Sequence, residues 1–323
     1  MSKNCITDIE GIKVGQITDK HNMTGCTVIL IPDGAICGVN ICGGAPGSRE
    51  SGLLLSEKDN SAIHSIFLSG GSAYGLAVGD GIMRYLEENN IGFDTGDVKV
   101  PIVPGAVLYD LNVGNPYVRP DANMGYLACV NASDEKIHEG NYGAGTGASV
   151  GKVLGNENIM KGGIGSSSFV SEDGLVVGAI VAVNAFGSVV DYNTGKILAG
   201  PILNGEIVNT EKYMIKHLNR EYHFDMNNTT LAVVGTNASL TKSQCNFLAQ
   251  NATHGLIRAI NPVCTTLDGD TVFAFSKGEV ECDINILASL ASRVLSEAVI
   301  NAIKAADSVN NIPSFKSLNS SNR

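Results

Sequence analysis

Apolar and polar positions follow one another in short periods along the first half of the chain, the mark of brief strands joined by tight turns. Residues 26–31 form a β-branched run that stops at Pro32-Asp33-Gly34, a turn signal, and residues 35–41 follow as its expected hairpin partner. Residues 62–68 are a further apolar run. It leads through Ser69-Gly70-Gly71-Ser72 into residues 73–88, where Leu76, Gly79, Met83 and Leu86 recur at spacings of 3 and 4 and predict a one-faced helix. Residues 175–183, Leu-Val-Val-Gly-Ala-Ile-Val-Ala-Val, are the longest continuous apolar run and fit a strand buried on both faces. Residues 229–234 and 271–276 are two more strands.

Helices are marked at their starts. Thr241-Lys-Ser-Gln244 has the form of a capping box, and the stripe Leu248, Ala252, Leu256 continues it. Asp283 is placed to cap a second helix carrying Ile286, Leu290, Val294 and Ala298 to about residue 305. Buried strands beside one-faced helices imply an α/β fold in which helices cover sheets. No repeat or break in composition divides the chain, so residues 1–323 are read as one domain. Two polar segments stand apart: residues 214–228, expected to be an exposed loop, and the Ser- and Asn-rich end from about residue 310, expected to be a flexible tail.

Composition narrows the function. The 323 residues carry a net charge of −10, and their Lys and Arg are scattered without a basic stripe, which argues against nucleic acid and anionic membrane as partners. No long uninterrupted apolar segment and no signal-like start are seen, so the chain is read as cytoplasmic. The eight cysteines, Cys5, Cys26, Cys37, Cys42, Cys129, Cys245, Cys264 and Cys282, include no C-x-x-C pair and read as small buried thiols. The histidines are dispersed, and no metal or cofactor is expected.

Four segments carry candidate chemistry. Asn227-Asn228-Thr229-Thr230 reads either as a polar turn entering a strand or as a self-cleavage point. In the second reading the Thr229 hydroxyl attacks the preceding carbonyl, and hydrolysis frees an α-amine of reference pKa ~8 that can serve as its own base. Asp268-Gly-Asp270 puts two carboxylates two residues apart, as solvated turn residues or as an orienting pair. The stretch Gly143-Ala-Gly-Thr-Gly147 is glycine-rich, but the Lys152 beyond it is followed by Val153 and no strand leads in, so it is not a nucleotide loop. Asn184, just past the buried apolar run, is either a satisfied polar end or a neutral donor to an oxyanion.

Taken together these segments resemble one family. With Gly43-Gly-Ala-Pro-Gly-Ser-Arg-Glu50, Leu68-Ser-Gly-Gly-Ser-Ala-Tyr-Gly75 and Asn228-Thr-Thr-Leu-Ala-Val-Val, the chain resembles the L-aminopeptidase/D-esterases and β-peptidyl aminopeptidases (peptidase S58), which include the endo-acting nylon oligomer hydrolases. The resemblance implies a four-layer αββα sandwich of the N-terminal-nucleophile type, cleaved into residues 1–228 and 229–323 and assembled as a homo-oligomer. It implies Thr229 as nucleophile, Asn184 as oxyanion amide, and Asp268 and Asp270 as the groups orienting the Thr229 amine. Lys152 and Tyr109 line the site. Thr229 with two Asp residues and Lys152 stands nearer the nylon-oligomer type than the Ser-bearing aminopeptidases. The implied substrate is a small peptide or amide; an acyltransferase of the ornithine acetyltransferase type is the alternative chemistry.

Overall fold

The structure, a computed structural model, describes residues 2–59, 62–218 and 228–320. The strands that position the site are β1 (Lys13–Asp19), β2 (Thr24–Ile41), β3 (Ser48–Arg49), β4 (Ile63–Ser69), β5 (Gly105–Val107), β6 (Ser149–Val150), β7 (Met160–Lys161), β8 (Gly163–Val170), β9 (Val176–Asn184), β10 (Thr229–Ala238) and β11 (Thr271–Val280). The helices are α1 (Val78–Glu88), α2 (Ala122–Val130), α3 (Lys242–Ala259) and α4 (Ile284–Ala305). The hydrogen-bonded order is β8-β9-β10-β11-β2-β4-β5-β3, with β1 on β2.

Residues 26–31 and 35–41 are not two arms of a hairpin; they are one strand, β2. Pro32 has no N–H to give and Gly34 sits at φ 79°, so the ladder to β4 breaks between Leu30 and Ala35 without reversing. The first half of β2 pairs with β1 and β4, and the second with β11. β2 therefore belongs to two sheets, which pack on each other.

Alternation along the strands fills three cores in order. Leu231, Val233, Phe273, Phe275, Ile180 and Ala182 from one sheet meet Ile29, Ile31, Ile66, Leu68 and Ala106 from the other. The opposite faces of β9, β10 and β11 (Val181, Ala232, Val234, Ala274) pack under α3 and α4. Cys26, Val28, Leu30 and Phe67 pack under α1 and α2. The layers are thus helix, sheet, sheet, helix, the αββα sandwich that the resemblance implied.

Both predicted caps form. The Thr241 hydroxyl accepts from the Gln244 N–H at 3.3 Å while Gln244 Oε1 accepts from the Thr241 N–H at 2.8 Å. Asp283 Oδ1 accepts from the Asn285 and Ile286 N–H groups. The buried stripe of α4 runs through Leu287, Ala291, Val294 and Ala298, and Ile286 faces outward.

The end of the chain differs from the expected tail. Ser314 is buried, a short helix spans Phe315–Ser320, and the Lys161 N–H donates to the Pro313 carbonyl at 2.8 Å. Phe315 and Leu318 supply the apolar anchors that composition concealed.

Candidate active site

The register of the central strands gathers the candidate residues at one end of the sheet. β9 and β10 are antiparallel, so the last residue of β9, Asn184, lies opposite the first of β10, Thr229. β10 and β11 are parallel, so their starts lie side by side and bring Asp268 and Asp270 to the same edge. The carbonyl of Asp270 accepts from the N–H groups of Cys42 and Gly43, and that of Asp268 from Ala45. Gly43 must be glycine there, because a Cβ would stand 2.4 Å from Asp268 O and Asp270 N.

Thr229 and Asn228 are both buried, 4% and 3% exposed. The loop ending at residue 228 was expected to be exposed. Instead the junction is enclosed where strand begins; residues 219–227 lie outside the described residues. The Thr229 hydroxyl donates to the carbonyl oxygen of Asn228, the group it would attack. Its own oxygen accepts from the Gly269 N–H at 3.2 Å. Gly269 permits that approach, since a Cβ would lie 2.7 Å from Thr229 Oγ1. The side-chain amide of Asn228 is buried with neither its O nor its N partnered among the described residues, a costly arrangement beside this bond.

Asn184 is fixed at both ends of its amide. Oδ1 accepts from the Ser149 N–H at 3.0 Å and from Lys152 Nζ at 2.8 Å, and Nδ2 donates to the Tyr109 carbonyl at 2.9 Å. Lys152 is buried, and burial holds its ammonium down to about 7 against the charges of Asp268 and Asp110. Asp270 Oδ1 accepts from the Thr230 N–H at 2.5 Å and Oδ2 from the Cys264 N–H at 2.8 Å. Asp268 Oδ2 accepts from the hydroxyl and N–H of Thr265. Burial raises both carboxyls, and the charge of Asp268 pushes Asp270 further, to about 7.

That shift has a checkable consequence. An acid whose folded pKa exceeds its unfolded value favours the fold below the unfolded pKa and loses that contribution as pH rises through the folded one. For Asp270 the window runs from about 4 to about 7. In a Thr229→Ala background, Asp270→Asn is expected to change Tm more favourably at pH about 8 than at about 4.5. The Asn loses one acceptor at either pH, so that cost cancels in the comparison. An equal change at both values would contradict the raised Asp270 carboxyl.

The site opens on a cavity of about 170 Å³ lined by Ala45, Pro46, Ser72, Val107 and Tyr109 with Asn228 and Thr229. No charged side chain lines it among the described residues. Glu50, at the end of the segment 43–50, accepts from the Val103 N–H at 2.8 Å.

The cysteine reading is corrected here. Cys42 and Cys264 are joined as a disulfide beside Asp270, and the other six are free. The pair is 222 residues apart in sequence, so spacing gave no sign of it. Cys42, Cys264 and Asp270 are grouped closely enough to consider a metal, but the joined sulfurs leave no thiolate to bind one.

Sequence reasoning missed Gly269 and Ser149, which act through backbone N–H groups, and the buried Asp110 and Lys161. The last two had a signal: each is a lone charge in an apolar context, Val107-Leu-Tyr-Asp110-Leu and Ile159-Met-Lys161-Gly-Gly-Ile.

The model of peptidase family S58 matches residues 4–314. The chain belongs to peptidase family S58. It is similar to an uncharacterized aminopeptidase of Mycobacterium leprae, 38% identical over 97% of this chain and 93% of that relative. A 6-aminohexanoate-oligomer endohydrolase of Kocuria sp. (strain KY2) is 29% identical over 92% of this chain and 85% of the relative. Among solved structures, the L-aminopeptidase D-Ala-esterase/amidase of Ochrobactrum anthropi, described as a variant of the Ntn hydrolase fold, matches with a TM-score of 0.72 at 20% identity, covering 96% and 88% of the two chains. A Burkholderia sp. beta-aminopeptidase matches at 0.70 and 22%, covering 97% and 90%. This family S58 chain is an α/β peptidase of the Ntn-hydrolase type of fold.

Proposed function

We propose that this S58 chain cuts itself between Asn228 and Thr229 and then hydrolyses amides with Thr229 as an N-terminal nucleophile. The observation that carries the reading is the Thr229 hydroxyl, hydrogen-bonded to the Asn228 carbonyl on one side and receiving the Gly269 N–H on the other.

In the precursor no α-amine exists at residue 229, so another base must take the hydroxyl proton. Lys152 suits this: its Nζ is hydrogen-bonded to Asn184, the residue paired with Thr229 across the β9–β10 ladder, and burial lowers its ammonium toward neutral pH, so that part of it is uncharged. Attack on the Asn228 carbonyl forms the C–O bond; the proton taken by Lys152 passes to the Thr229 nitrogen as the C–N bond breaks, leaving an ester on Thr229 Oγ1 and a free amine. Water hydrolyses that ester to the Asn228 carboxylate and frees the hydroxyl of Thr229.

In turnover the α-amine accepts the hydroxyl proton, Asp268 and Asp270 orient the new terminus, and Asn184 donates to the tetrahedral oxyanion. The amine proton passes to the leaving amine, and water resolves the acyl-enzyme.

Aminopeptidase action on small peptides and amides is the first reading, supported by the 38% identical relative. Endo-hydrolysis of 6-aminohexanoate oligomers is the second. It is favoured by the related endohydrolase and by a cavity that, among the described residues, carries no charged side chain to pair with a substrate α-ammonium.

The test is a panel of aminoacyl and β-aminoacyl p-nitroanilides beside a linear nylon oligomer, with and without an acyl acceptor such as ornithine. Cleaved enzyme is expected to hydrolyse at least one of these without acceptor. Turnover only with acceptor would make it an acyltransferase, and no turnover of any member would refute the hydrolase reading.

A further inference from the structure

Two buried ionisable side chains take no part in the chemistry above. Asp110 is 2% exposed and Lys161 is fully enclosed. Placing opposite charges in the interior is a poor route to stability, because desolvation offsets most of their attraction. Their positions suggest another use.

Asn184 is oriented by two backbone groups, the Tyr109 carbonyl and the Ser149 N–H. Asp110 follows Tyr109 directly. Its carboxylate accepts from the Gly71 N–H at 2.7 Å and the Thr24 hydroxyl at 2.8 Å. Gly70 and Gly147 seat against it, and a Cβ on either would collide with the Asp110 side chain at 2.1 and 2.6 Å. Lys161 lies across from Ser149 in the β6–β7 ribbon. Its Nζ donates to the carbonyls of Ala148 at 2.5 Å and of Gly145 and Gly162 at 3.2 Å each. Three carbonyls converging in an apolar interior require a cationic or strongly donating partner. Burial raises the Asp110 carboxyl to about 6 and lowers the Lys161 ammonium to about 7, and each charge opposes the other's shift.

We propose that Asp110 and Lys161 are positioning residues that brace, from behind, the two backbone groups holding the Asn184 amide in its catalytic direction. Asp110 fixes the Tyr109 segment to β2 and the Gly70-Gly71 turn. Lys161 fixes residues 145–149. Each braces one of the two backbone groups that hold Asn184, so its amide is clamped at both ends. This rests on the reading of Asn184 as the oxyanion donor.

The test is a double-mutant cycle on purified cleaved enzyme, using the p-nitroanilide of the panel that is turned over fastest. Asp110→Asn keeps the shape and one acceptor oxygen. Thr24→Val removes a single hydrogen bond to Asp110 and serves if Asp110→Asn does not fold. Each is expected to lower kcat, Asp110→Asn by about tenfold, with KM within about twofold, because misdirection of a catalytic group acts on the transition state. Added to Asn184→Ala, neither is expected to lower kcat further. A full-sized additional fall in that background would place their action elsewhere and overturn the proposal, as would an unchanged kcat in both single variants. An Asp110→Asn chain that stays uncleaved where Asn184→Ala cleaves would overturn it too. If Asn184→Ala is as fast as wild type, the oxyanion reading itself fails, and a fall in Asp110→Asn beside it would overturn the brace as well.

Discussion

Thr229→Ala is expected to yield one uncut chain without measurable turnover, where the wild type gives residues 1–228 and 229–323 as separate masses. The hydroxyl is the only side-chain nucleophile placed on the Asn228 carbonyl among the described residues. Without it no acyl shift occurs, and without the shift no α-amine is released to act as base. The loss is not one of folding. Thr→Ala removes a small buried group at the first residue of β10, and the ladders to β9 and β11 continue beyond it. Its cost is about 1–3 kcal/mol, chiefly for the Gly269 N–H left without its acceptor, so the chain should still fold, with Tm lowered by no more than several degrees. The same ladders explain why the cut wild-type chains should remain together. β10 is held between β9 and β11 as a central strand, and cleavage at its first residue breaks no pairing. Thr229→Ser retains the hydroxyl but loses the methyl that stiffens χ1, and it should cut itself more slowly than wild type. Intact-mass analysis reads each variant. A Thr229→Ala chain cut at 228/229, or wild type active as an uncut chain, would remove the mechanism.

What the sequence revealed and what it hid differ in physical kind. The strands 175–183, 229–234 and 271–276 were legible because burial on both faces demands unbroken apolar runs. The caps at Thr241 and Asp283 were legible because capping is local. The error at residues 32–34 arose because Pro-Asp-Gly is equally the signature of a turn and of a break in a strand whose two halves have different partners. Only the partner, far away in sequence, decides between them. The burial of Asn228 was hidden for the same reason: it shares a cavity with residues 45–47 and 107–109, which are far from it in sequence. The Cys42–Cys264 bond and the contacts of Lys161 are likewise tertiary facts. Candidate residues stood out where they bear reactive side chains, as Thr229, Asp268 and Asp270 do, and the strand register brings these three to one edge. They were invisible where the working atom is a backbone N–H, as at Gly269 and Ser149.

Asn184→Ala is expected to reduce kcat by ~10²–10³ with little change in KM, the effect of losing one preorganised oxyanion donor. The direction follows from how the amide is held. Lys152 Nζ and the Ser149 N–H can face only its oxygen, and the Tyr109 carbonyl only its nitrogen, so the orientation is unambiguous and the NH₂ group is set before substrate arrives. A donor fixed in advance pays no reorganisation as charge develops, which concentrates its contribution in the transition state rather than in binding. Asn184→Asp separates this role from the structural one. It keeps the acceptor for Ser149 and Lys152 but sets a carboxylate oxygen against the Tyr109 carbonyl, so Tm separates any loss of folding from loss of turnover. Yet it replaces a donor by a carboxylate that repels the oxyanion, so its kcat should fall at least as far. Steady-state kinetics of both variants on cleaved protein, with Tm measured alongside, decides the matter. If Asn184→Asp turns over within about threefold of wild type, a difference worth well under 1 kcal/mol in the barrier, the oxyanion is stabilised by some other group and Asn184 is there to hold Lys152.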